Sequence, residues 1–159
     1  MFSKKKYLIV IGVAGMVLSF MVASIHAVTN AQDEIRLETK AYKSHKNPIV
    51  IFNHIKHQEA YKQEYPAFFK AECGECHHDE NNKPLKNLKA GDDVEKCIGC
   101  HKKAAYAKGK KAKGLSQKKK LEYHANALHK NCKDCHRKVN KKIGKKAAPV
   151  TCKKCHLKS

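Results

Sequence analysis

A small, loop-rich, mainly α fold with a short N-terminal β element is what this 159-residue sequence predicts. Three features carry that expectation. The chain has no tryptophan, five phenylalanines and 30% charged residues, so a core built from its own side chains would be thin. Helix-start signals recur, but proline, glycine or lysine-rich breaks soon follow, which keeps the helices short. All eight cysteines fall in one pattern repeated four times: Cys73-Gly-Glu-Cys76-His77, Cys97-Ile-Gly-Cys100-His101, Cys132-Lys-Asp-Cys135-His136 and Cys152-Lys-Lys-Cys155-His156.

Taken in order, the chain opens with Lys4, Lys5 and Lys6 and an apolar run from Tyr7 to Ala23. This reads as a Sec signal peptide over residues 1–27, short for a membrane span, with an uncleaved anchor as the alternative. Cleavage is expected near Ser24, Ala27 or Ala31. No cysteine precedes Cys73, which excludes a lipid anchor, and there is no twin arginine. Residues 28–47 are polar and read as a flexible lead; residues 48–159 form the main domain. Within it, Ile49-Val-Ile-Phe52 reads as a strand. Asn53 caps a helix that ends near Tyr65, because Pro66 follows. Asp92 or Asp93 caps a helix through Cys97–His101 to about Ala107. Residues 108–114 are a Gly/Lys loop. Ser116 caps a helix to about His129, and Thr151 caps a last short helix through Cys155 and His156.

Cys-x-x-Cys-His is the attachment pattern of a c-type haem. Cysteines three apart lie on one side of a helical turn, so both sulfurs can bond the two vinyl groups of one porphyrin. The next residue, histidine, is carried to the iron as an axial ligand. Four motifs predict four haem c groups on Cys73, Cys76, Cys97, Cys100, Cys132, Cys135, Cys152 and Cys155, with His77, His101, His136 and His156 on the irons. The haems would then be the core, and the chain without them largely unfolded. Cys-x-x-Cys pairs also build zinc sites, thioredoxin-like redox motifs and disulfides. None of these explains the histidine after every pair.

The chain has eleven histidines, and seven lie outside the motifs: His26, His45, His54, His57, His78, His124 and His129. Four irons with two imidazoles each need four of them. His54 and His57 share a helix face but are too far apart to bind one side of one iron, so they serve two haems. His78 is adjacent to His77 and must reach a neighbouring haem. His124 and His129 lie about 140° apart around a helix, so one of them ligates, and His129 is the choice. His26 falls in the export segment.

With these residues assembled, the chain resembles the class III tetrahaem c-type cytochromes, the cytochrome c3 family, over about residues 47–157. The resemblance rests on Ile49-Val-Ile-Phe-Asn-His54-x-x-His57, on Cys73-x-x-Cys76-His77-His78, on Tyr123-His124 before His129, and on the three further motifs. It implies a cytochrome c3-like fold with four haems as the core. By matching position, it implies His54 on the Cys73/Cys76 haem, His78 on Cys97/Cys100, His57 on Cys132/Cys135 and His129 on Cys152/Cys155. It also implies a periplasmic low-potential electron carrier whose partners are hydrogenases and membrane-bound respiratory complexes. In three respects the chain departs from many members. All four cysteine gaps are two residues, residues 58–72 are longer than usual, and His129 stands closer to Cys132.

Bis-histidine irons have no open position, so electron transfer is expected rather than catalysis. A multihaem reductase would need one vacant haem face, and the histidine supply closes all four. Net charge is +20. Residues 1–27 hold three lysines and no acid, and eight haem propionates against four ferric irons would leave about +13. That basicity suits an acidic redox partner. A zinc-stabilised nucleic-acid module also suits it, but the export signal argues against that reading and no nucleic-acid partner is expected. Membrane contact is expected only if the N-terminal segment stays uncleaved. Lys145, Lys146, Lys153 and Lys154 mark the Cys152/Cys155 haem as the expected electron port.

Overall fold

The computed structural model describes residues 33–158; the export segment expected over residues 1–27, and His26 with it, lies outside them. Short helices predominate, with one two-stranded sheet. Strand β1 is Glu34–Arg36 and β2 is Ile51–Asn53; they run antiparallel, with Ile35 opposite Phe52. The second strand is the one expected from Ile49–Phe52, shifted by one to two residues. Its partner lies inside the stretch 28–47 that reads as a lead, of which residues 33–47 are described. Glu34-Ile35-Arg36 is too short and too polar to signal a strand alone, and it exists because β2 offers it a ladder.

Asn53 caps α1, His54–Gln58: its side chain accepts from the Lys56 amide at 2.8 Å. The helix breaks at Glu59 and resumes as α2, Ala60–Glu64. It ends at Tyr65 as expected, and Pro66 opens a 3₁₀ turn, Pro66–Phe68. A second 3₁₀ turn, Glu72–Glu75, carries the first motif. Gly74 is required there, because a Cβ would stand 2.9 Å from the Pro84 Cβ as residues 84–85 cross it.

The second motif forms α3, Cys97–Cys100, one turn only. It stops at His101, not near Ala107, and neither Asp92 nor Asp93 caps it; the N-cap is Lys96, while Asp92 accepts from the Lys89 amide. A helix of four residues is held by its surroundings, not by propensity. Residues 108–114 contain a 3₁₀ turn, Gly109–Ala112, and Ser116 caps α4, Gln117–Leu121, by accepting from the Lys119 amide. The chain then turns at Glu122–Tyr123 and enters α5, His124–Ile143, twenty residues long.

Helix α5 overturns the expected stop near His129. No glycine or proline lies between Leu115 and Ile143, so nothing halts it until Gly144, which closes it in the left-handed region at φ +70°. Its first amides are satisfied by backbone: His124 N–H donates to Lys103 O at 2.9 Å. The third motif therefore sits inside a long helix. The fourth forms α6, Cys152–Cys155, behind Thr151 in extended conformation. Thr151 stands at the cap position without a side-chain bond.

Among the described residues, the buried apolar side chains are Ala71, Ala107, Ala127 and Val139, and no large side chain is fully buried. No described helix is long and apolar enough to cross a membrane.

Candidate haem-binding site

All four Cys-x-x-Cys-His motifs lie on a helical turn, a 3₁₀ turn for the first and α for the others. In the motifs on short turns, the histidine amide donates to the first cysteine carbonyl: His77 to Cys73 at 2.9 Å, His101 to Cys97 at 2.8 Å, His156 to Cys152 at 2.7 Å. The third motif has the same spacing on α5. All eight thiols are free of disulfides. Burial pushes the Cys76 thiol up to about 12, with Cys132 and Cys135 next in effect. It pushes Cys132 up to about 11, with Cys155 and Cys97 nearby. Asn131 Nδ2 donates to the Cys76 carbonyl at 3.3 Å, which ties α5 to the first motif.

Each motif histidine faces one histidine from outside the motifs. Ring centres are 6.3 Å apart for His54 and His77, 6.2 Å for His57 and His136, 6.0 Å for His78 and His101, and 6.2 Å for His129 and His156. A metal–imidazole bond of about 2.0–2.1 Å on each side, plus about 1.1 Å from each nitrogen to its ring centre, gives about 6.3 Å across one ion. The gaps therefore fit a metal held between the rings. They coincide with the pairs that the family resemblance implies.

The free nitrogens fit as well. A backbone carbonyl can only accept, so an Nδ1 bonded to one carries the proton and leaves Nε2 as the ligand. That holds for His57 on Asn53 O (2.8 Å), His78 on Asp79 O (2.7 Å), His101 on Leu121 O (2.5 Å), His136 on Pro149 O (2.6 Å) and His156 on Pro48 O (2.7 Å). Nδ1 of His54 and of His129 is buried without a partner. Burial holds His57, His77 and His129 below the usual histidine range, although the bond to the Asn53 carbonyl opposes it at His57. Neutral imidazole is the form that ligates.

Aromatic rings pack against three of the non-motif histidines, His54, His57 and His129. Phe52 lies 5.9 Å from His54 and 4.6 Å from His57, Tyr61 lies 5.0 Å from His57, and Tyr106 lies 4.8 Å from His129. His124 takes another role. It is buried, and its Nδ1 shares a 3.1 Å hydrogen bond with the Tyr42 hydroxyl. Exposed His45 stacks on the same tyrosine. A zinc cage has no counterpart here: among the described residues, no three His, Cys, Asp or Glu side chains are grouped to hold an ion.

Two asparagines on α5 clamp a neighbouring loop peptide, a role the sequence does not signal. Asn126 brackets Ala107, accepting from its amide at 2.8 Å and donating to its carbonyl at 3.0 Å. Asn140 does the same to Ala148, at 2.8 Å both ways. Asparagine is a poor helix former, and its recurrence inside a helix is the one available clue.

The sequence profile of the class III cytochrome c family matches residues 28–156. No curated protein matches the chain.

Proposed function

This chain belongs to the class III cytochrome c family, and on that premise we propose a periplasmic, low-potential electron carrier with four bis-histidine haem c groups. It would pass electrons between hydrogenase or another dehydrogenase and membrane-bound respiratory complexes in anaerobic respiration. Membership itself carries two coarser statements: haem c is bound covalently, and the work is electron transfer. The family reading thereby favours a carrier over an enzyme.

One observation carries the finer reading, the four facing imidazole pairs at 6.0–6.3 Å. When bound, haem c supplies a one-electron iron couple. The chain's residues do the rest. Cys73 and Cys76, Cys97 and Cys100, Cys132 and Cys135, and Cys152 and Cys155 anchor. His77, His101, His136 and His156 would hold the iron from the motif side, and His54, His78, His57 and His129 would supply the second imidazole of each pair. Carbonyl acceptors fix ring orientation and make the ligands more basic, which favours the oxidised iron and a low potential. With an imidazole from each side, the pairs would leave a bound iron no site for substrate.

The test uses protein exported to the periplasm with haem-attachment machinery present. Its mass should exceed the processed chain by four haems. Its spectrum should be low-spin in both redox states, with little carbon monoxide binding. Fewer haems, a strong high-spin signal, or zinc in place of iron would overturn the proposal.

A further inference from the structure

The four ring pairs are not alike. Three are steeply crossed, at 72° for His54 and His77, 65° for His78 and His101, and 70° for His129 and His156. The fourth, His57 with His136, lies at 26°. Both of its rings are tied to backbone. His57 Nδ1 donates to Asn53 O, one turn back on its own helix, so its plane follows α1. His136 Nδ1 donates to Pro149 O, across the loop that returns from Gly144.

That loop has little else to hold it. Lys145 and Lys146 are exposed, and Gly144 imposes no conformation of its own. Asn140 lies one turn beyond His136 on α5 and so faces the same side. Its amide closes two bonds on Ala148, the residue before Pro149. The peptide at 148 thus has both backbone groups pinned, and the next carbonyl is the one that His136 uses. Proline at 149 adds a fixed φ and removes a competing donor.

We propose that Asn140 is a positioning residue: by clamping Ala148 it aims the Pro149 carbonyl at His136 and holds that ring nearly parallel to His57. The inference rests on the bis-histidine reading above. Parallel and crossed imidazoles split the iron d-orbitals differently, so this haem should differ from the other three in its low-spin ferric resonance. A firm Nδ1–H bond also raises ligand basicity and lowers potential.

The experiment compares the holoprotein with Asn140→Ala, Asn140→Asp and Asn126→Ala. The last removes an equivalent clamp on a peptide that accepts from no haem-ligating histidine. Electron paramagnetic resonance of the oxidised wild type should show one rhombic low-spin species beside three of large anisotropy. In Asn140→Ala the rhombic signal should shift or broaden, one reduction wave should move to higher potential, and the His136 Nδ1 proton should exchange faster. Asn140→Asp keeps the acceptor for the Ala148 amide but turns an oxygen on its carbonyl, so it should act the same way with less risk to folding. Asn126→Ala should leave that signal in place. Four haems with an unmoved rhombic signal and wave in both Asn140 variants overturn this proposal alone. So does an equal shift in Asn126→Ala, which would reduce the clamp to general stability. A wild type without four covalent haems overturns the underlying reading with it.

Discussion

At the scale of single residues, the separation of His124 from His129 is decided by what each nitrogen meets. His129 faces His156 across 6.2 Å with a buried, unpartnered Nδ1. His124 is spent on Tyr42. His129→Met is expected to raise the potential of one haem and change its spectrum, since thioether ligation favours reduced iron. His124→Ala should leave the spectrum intact. It should nevertheless cost about 1–3 kcal/mol in denaturant unfolding, because it opens a small cavity and removes the bond to the Tyr42 hydroxyl. A lost haem band in His124→Ala would reverse the roles. Glu122 offers a pH-dependent case. Bonds from Lys103 at 2.5 Å and Lys119 at 2.9 Å hold its carboxyl down at about 2. A depressed folded-state pKa stabilises above the ordinary carboxylate range and is lost as pH falls through the folded value. The stability gap between wild type and Glu122→Gln should therefore shrink as pH drops from about 5 to about 2. A gap that stays constant would show that the carboxylate's charge plays no part.

At the scale of elements, α1 has five residues and carries two of the ligand candidates, His54 and His57. So short a helix depends on its cap, and Asn53 supplies both the cap and the carbonyl that receives His57. Asn53→Ala removes the side-chain bond and leaves the carbonyl. It is expected to cost about 1 kcal/mol and to perturb two haem spectra together, those anchored at Cys73/Cys76 and Cys132/Cys135. A change confined to one haem would mean that α1 does not move as a unit. Helix α5 runs on through residue 129, where the sequence reading ends a helix. The physical stop is Gly144, whose left-handed backbone closes the helix. Helix α3, by contrast, stops short of its expected reach. Residues 102–107 look permissive for helix, but Lys103 and Ala105 instead pair with the start of α5.

At the scale of the whole molecule, the four small apolar side chains buried among the described residues cannot account for a stable fold. Contacts that close the structure instead run through ligand candidates, as where His156 reaches Pro48 over 108 positions of sequence. Replacing all eight cysteines with alanine should yield a chain without a cooperative thermal transition or near-ultraviolet dichroism. A native-like transition in that variant would show that the protein core suffices. Charge also belongs to this scale. Lys145, Lys146, Lys153 and Lys154 are all exposed around α6 and join no ion pair among the described residues. Changing them to glutamine is expected to slow reduction by an acidic donor such as hydrogenase, chiefly in the on-rate, and to flatten its salt dependence. Unchanged rate and slope would move docking toward the lysines of residues 102–120.

Cofactor chemistry was determined by the sequence alone, because covalent attachment needs only two cysteines and a histidine on one turn, and that geometry is local. So were the caps at Asn53 and Ser116, which act over three residues. The facing of His57 with His136, or of His129 with His156, spans 79 and 27 positions and came to the sequence reading only through family likeness. Tertiary structure decided the angle between those rings, the carbonyl each Nδ1 finds, the pairing that makes a strand of Glu34–Arg36, and the two asparagine clamps on α5. Each depends on where a distant stretch of backbone comes to rest, and side-chain pattern along the chain carries no record of that.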